Sequence, residues 1–153
     1  MNIEVAQSHE VYAVLELVEE LLIEVVEQGQ ELPWINREKL HADIRRNLEG
    51  AGSRAAPRRL VAILAKESSG VAVGVLLLTH CFALYAGGEY GVIDELYVRP
   101  EYRGRNIERE LLDEAVAISQ RQGWVRLDVT GPESGREAAR GERAARFGKA
   151  LGL

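Results

Sequence analysis

The chain has 153 residues, a length that suits one domain spanning 1–153, with 46% apolar and 28% charged residues. Its formal net charge of -5 lacks the basic balance that non-specific nucleic-acid binding needs, and suits a cationic partner such as an amine better. The single cysteine, Cys81, excludes an intramolecular disulfide framework, and the apolar run around it reads as the site of a buried, inert thiol. Residues 1–5 show no basic region followed by an apolar run, and no stretch reaches the ~18–20 apolar residues that span a membrane, so the cytoplasm is the expected location.

Residues 2–6 read as a first strand. Ser8 is placed to cap a helix whose apolar stripe (Val11, Val14, Leu15, Val18, Leu21, Leu22, Val25 and Val26) runs to about Glu27, where Gly29 ends it. Glu19, Glu20, Glu24 and Glu27 fall on what reads as its solvated face. Trp34 follows, read either as a core residue or as the lining of a substrate pocket. A second helix starts at Asn36, with Ile35 and Leu40 spaced as a hydrophobic staple and Gly50 as its stop.

Residues 50–57 read as loop, Leu60 to Ala65 as a buried strand, and Val71 to about Leu84 as a long strand paired with it in a hairpin. Ala86-Gly87-Gly88 makes a turn, and Tyr90 to Arg99 a further strand stopped by Pro100. Ile107, Leu111, Ala115 and Ile118 define the clearest helix, ended by Gly123. Trp124 to Thr130 alternates as a strand, Gly131-Pro132 breaks it, and a last helix runs from about Glu137 to Ala150. The order is β-α-α-β-β-β-α-β-α, and it predicts an α/β chain with a mixed sheet flanked by helices. His9, His41 and His80 have no metal-ligand spacing, so no metal is expected.

The chemistry concentrates in Ile93–Ile107, where a strand ends at a proline and a short loop opens directly into a helix. Such a loop aims backbone N–H groups, with the helix dipole behind them, at one spot suited to a phosphate. Arg103 and Arg105 stand at that helix start, with Arg99 and Arg109 nearby. Cations are disfavoured at a helix N-terminus, and an anion would neutralise them.

Leu96-Tyr97-Val98-Arg99-Pro100-Glu101-Tyr102-Arg103-Gly104-Arg105, followed by a helix with Leu111-Leu112, closely resembles motif A of the GNAT family of N-acetyltransferases. That family carries Arg/Gln-x-x-Gly-x-Gly/Ala at the loop. The element order and the ending from Arg146 to Leu153 are also similar to the family's. The resemblance implies the acyl-CoA N-acyltransferase (GNAT) fold, with acetyl-CoA as co-substrate. Leu96, Tyr97 and Val98 would then hold the pantetheine arm, and Arg103, Gly104, Arg105, Asn106, Ile107 and Glu108 would wrap the pyrophosphate. Asp94 or Glu95 would supply a general base for an amine acceptor. Strand alternation puts one of these two in the cleft unless a bulge intervenes.

Three positions depart from the family. Asn106 and Glu108 replace the two loop glycines. Asn tolerates unusual backbone angles, whereas a Glu108 carboxylate turned to a pyrophosphate at ~4 Å would cost about 4 kcal/mol per contact before screening, at an effective dielectric of ~20. Gly148 falls where many relatives have a tyrosine acid. The chain stops at Leu153 where relatives usually add one or two strands, which implies an unpaired edge and a homodimer. Two readings follow. One is an N-acetyltransferase moving an acetyl group to a primary amine of a small molecule or peptide, with Trp34 near the acceptor. The other is a catalytically impaired GNAT-fold module acting as a dimer or partner subunit.

Overall fold

The computed structural model describes residues 1–49 and 59–129. The predicted loop 50–57, the Gly131-Pro132 break, the last helix and position 148 lie outside the described residues. The elements are β1 (Asn2–Val5), α1 (Val11–Glu27), α2 (Arg37–Glu49), β2 (Leu60–Lys66), β3 (Ala72–Ala83), β4 (Gly88–Val98), α3 (Ile107–Gln122) and β5 (Leu127–Val129). The strands form one sheet in the order β1-β2-β3-β4-β5. The first four pair antiparallel, and β5 joins β4 in parallel through Gly91↔Leu127, Val92↔Asp128 and Ile93↔Val129. A parallel neighbour needs a crossover, and α3 supplies it.

Local chemistry sets most of the element ends. The Asn36 side chain accepts from Lys39 N–H at 3.0 Å, as an N-cap should. Ser8, by contrast, does not cap α1: Ser8–Glu10 is a 3-10 turn, closed by the Gln7 N–H donating to Glu10 Oε2 at 2.8 Å. Gly123, with φ of 70°, ends α3 in the left-handed conformation that glycine adopts most readily. β5 starts at Leu127, later than its alternation suggests, and Trp124 ahead of it is buried in the core.

Alternation splits the core in two. Val75, Leu77 and Tyr97 face α1 and α2 together with Ala62 and Leu64. Ile63, Leu76, Leu78, Ile93 and Val98 face α3 through Ile107, Leu111, Ala115 and Ile118. At the α3 face a Cβ on Gly91 would lie 2.5 Å from Trp124 Cζ3 and 2.7 Å from Cε3. The Trp124 ring is itself stacked on His80, with centroids 4.9 Å apart. Gly91→Ala is therefore expected to cost about 1–3 kcal/mol by overpacking, read by denaturant unfolding. An unchanged midpoint would mean that the ring moves freely.

One irregularity in β4 matters for the site. Leu77 pairs with Glu95, but the next residue, Leu78, pairs with Ile93, so Asp94 is an extra residue in a β-bulge. Because of it Ile93 and Val98 share the α3 face although they are five residues apart.

Candidate active site

The bulge settles where the two candidate carboxylates point. Glu95 lies opposite Leu77, whose side chain belongs to the core under α1. Asp94 accepts a hydrogen bond from Thr79 Oγ1, and Thr79 is two residues along β3 from Leu77. Both carboxylates therefore occupy the α1 face. This corrects simple alternation, which assigns them to opposite faces. Glu95 is half-buried, and burial pushes its carboxyl up to about 7, with the neighbouring Asp94 charge adding to the effect.

The same face carries Cys81, Tyr90, Arg126 and Asp128. Cys81 pairs with Tyr90 across the strands, and burial holds its thiol above the ordinary range. Arg126 donates to Asp128 at 2.6 Å and lies over the rings of Tyr85 and Tyr90, at 5.7 and 5.4 Å from their centroids. The rim of this face is thus both acidic and aromatic.

On the side of β4 away from β3, pairing among the described residues stops at Ile93↔Val129. The stretch from Asp94 to Val98 runs on past that point towards the loop. There a 3-10 turn, Pro100–Tyr102, is followed by Gly104 at φ 77°, where a Cβ would meet nothing within 4 Å. Asn106 has φ 69° and ψ 9°, the only non-glycine residue at positive φ among those described. It stands where the resemblance to motif A places a glycine, and its backbone takes the conformation that glycine favours and that asparagine tolerates better than most residues. Its side chain does not cap α3. The first intrahelical bond runs from Glu110 N–H to the Asn106 carbonyl at 3.1 Å, so the amides of Ile107, Glu108 and Arg109 precede it. A helix start of this kind attracts anions. Glu108 lies in that first turn, half-buried.

The arginines are not arranged as the sequence suggests. Arg99 donates through Nη2 to Glu20 at 2.8 Å and to Glu16 at 3.1 Å, and Arg103 through Nη2 to Glu24 at 2.7 Å. Arg103 Nε also donates to the Val98 carbonyl at 2.8 Å. The acidic residues of α1 are thus not a purely solvated face: Glu16, Glu20 and Glu24 tie α1 to the end of β4 and to the loop. Glu19 turns instead to Arg37 and His41 of α2. Arg109 pairs loosely with Asp113 at 3.9 Å. Arg105 makes no ion pair among the described residues and lies over the Tyr102 ring at 5.1 Å. Of Arg99, Arg103, Arg105 and Arg109, it is the one without a carboxylate partner among the described residues.

Tyr97 is buried against α1 and donates to Glu20 at 3.2 Å. Burial and the Glu20 charge push its hydroxyl up to about 12. With that proton committed to Glu20, it is a poor substitute for the tyrosine acid. Leu96 is half-buried on the α3 face, next to Val98. Trp34 is 75% exposed between α1 and α2, which excludes the core role. Sequence reasoning missed Thr79. The signal for the bulge was present, because Ile93, Leu96 and Val98 are apolar at spacings of three and then two, a slip in strand period.

Among the described residues, then, a mixed sheet carries a β4 that runs past its pairing with β5 into a helix start of the kind that attracts anions. The model of the Acetyltransferase (GNAT) family matches residues 16–141, and the chain belongs to that family. Among solved structures, a predicted acetyltransferase with acetyl-CoA from Clostridium acetobutylicum superposes with a TM-score of 0.68 at 18% identity, over 92% of this chain and 87% of that one. The ribosomal-protein-alanine N-acetyltransferase of Brucella melitensis biovar Abortus 2308 gives a TM-score of 0.63 at 17% identity, over 90% and 85%. The acetyltransferase of Vibrio fischeri gives 0.65 at 20% identity, over 86% and 96%. These likenesses establish the GNAT acyl-CoA N-acyltransferase fold. No curated protein sequence matches. Among the described residues no helix is long and apolar enough to cross a membrane, and no group of His, Cys, Asp and Glu could hold a metal ion.

Proposed function

We propose that the chain, as one domain over 1–153, is an acetyl-CoA-dependent N-acetyltransferase acting on a primary amine of a small molecule or peptide. The observation that carries this reading is the pair of carboxylates at the β4 bulge, next to a β4 edge that continues into the uncapped start of α3. Acetyl-CoA supplies the acetyl group as a thioester. The Asp94–Val98 edge of β4 would pair with the pantetheine amides as an added strand does, through Leu96, Tyr97 and Val98. Its N–H groups would polarise the thioester carbonyl. The loop from Arg103 to Glu108 would take the pyrophosphate on backbone amides, with Arg105 as the available cation.

Asp94 or Glu95 takes the proton as the amine nitrogen bonds to the carbonyl carbon. The C–S bond then breaks, and the thiolate takes a proton from water. The exposed Trp34 belongs to the acceptor side of this reading, and two copies of the chain form the working unit. Sedimentation of a pure monomer at micromolar concentration would remove the dimer.

Calorimetric titration with acetyl-CoA is the test. Micromolar binding is expected, and Glu108→Ala should tighten it by about tenfold, because removing a like charge near a pyrophosphate is worth on the order of 1 kcal/mol once screened. Absence of heat at millimolar acetyl-CoA would overturn the enzyme and leave the impaired binding module.

A further inference from the structure

Two carboxylates one residue apart on one face pose a question of roles that the enzyme reading leaves open. They differ in surroundings. Asp94, the bulged residue, receives the hydroxyl hydrogen of Thr79 from the neighbouring strand. Glu95 sits against Leu77 at the edge of the apolar core under α1. A carboxylate that accepts a hydroxyl hydrogen bond favours its charged form, and a desolvated one beside a like charge favours its neutral form. Their environments therefore push the two groups apart, which is how a carboxylate pair divides acid and base roles.

We propose that Thr79 is a positioning residue: by donating to Asp94 it fixes that carboxylate as a hydrogen-bond acceptor and leaves Glu95 as the group that takes the amine's proton. The assignment rests on the acetyl-transfer reading for its function and on the bulge for its geometry. Asp94 then acts on Glu95 through its charge, and Thr79 acts on Glu95 through Asp94. The other titratable groups on the face have partners of their own. Cys81 bonds Tyr90, Arg126 pairs with Asp128, Tyr97 and Arg99 share Glu20, and Glu19 holds Arg37 and His41. Asp94 is the charge that acts on Glu95. The proton moves from the amine nitrogen to a Glu95 carboxylate oxygen, and the N–H electron pair stays with nitrogen.

Carbon-13 NMR titration of side-chain carboxyls tests this on the full chain without any substrate, with Glu95→Gln and Asp94→Asn assigning the two signals. In the wild type, the Glu95 carbon should titrate near neutrality, separately from the Asp94 carbon. In Thr79→Val both carbons should move together near neutrality, because the pair then shares one proton. Thr79→Ser, which keeps the hydroxyl, should restore the wild-type pattern. Asp94→Asn should shift Glu95 to lower pH.

On the enzyme, Thr79→Val should lower kcat/KM about tenfold at pH 7, move its acid limb and leave the acetyl-CoA Kd unchanged. A flat Asp94 carbon in Thr79→Val overturns the proposal, as does an activity loss equal at every pH or equally present in Thr79→Ser. Should the NMR pattern hold in a protein that acetylates no amine, the positioning stands and the enzyme reading falls.

Discussion

Glu95→Gln is expected to lower kcat/KM for amine acetylation by about 10²–10⁴-fold while leaving acetyl-CoA binding intact. Glutamine keeps the shape of the side chain and cannot take a proton. The same substitution should stabilise the protein at high pH, and the sign follows from the direction of the shift. The folded state holds the Glu95 proton up to about pH 7, against an ordinary value of 4.5, so the folded chain binds more protons than the unfolded chain between those values. Stability from this group is therefore full below pH 4.5 and is lost as pH rises towards 7, a deficit on the order of 3 kcal/mol at most. Glutamine does not titrate. The melting temperature of Glu95→Gln should exceed that of the wild type at pH 8, and the gap should close as pH falls towards 4.5. Wild-type kcat/KM in Glu95→Gln would remove Glu95 from the proton path. A melting gap independent of pH would mean that its carboxyl is not desolvated in solution.

Leu111→Ala should destabilise the chain by about 2–5 kcal/mol, a fall of roughly 5–15 °C in melting temperature for a domain of this size. Leu111 is fully buried in the first half of α3 and packs with Ile107 and Val98. Its Cδ1 would lie 3.5 Å from a Cβ built on Gly74, so helix and sheet approach closely there. That contact seats the start of α3 beside the end of β4. Loosening it should also weaken acetyl-CoA binding by more than a substitution at the far end of the helix does. Calorimetry of Leu111→Ala beside Ile118→Ala checks this: equal losses of affinity would show that the seating of the helix start is not set by Leu111.

The sequence by itself determined the layers. The 3.6-residue stripe of α1 and the Ile107–Leu111–Ala115–Ile118 stripe of α3 each specify which side must be buried, and the continuous apolar runs of β2 and β3 specify a sheet covered on both faces. The phosphate-binding loop was legible for a related reason: a proline, a glycine and a helix start within eight residues fix a local geometry whatever lies elsewhere. Tertiary structure alone decided the rest, because those outcomes depend on partners remote in the chain. Arg99 and Arg103 read as cations awaiting an anion, yet carboxylates 79 to 83 residues earlier neutralise them. Trp34 reads as core or as pocket lining by its apolar ring, and it stands exposed between α1 and α2. Asp94 and Glu95 read as opposite-facing neighbours, and pairing with β3 inserts the extra residue that turns both towards α1. Local sequence encodes which groups need burial or partners. Which partner each one finds is set by strand register and helix placement, which are properties of the whole sheet.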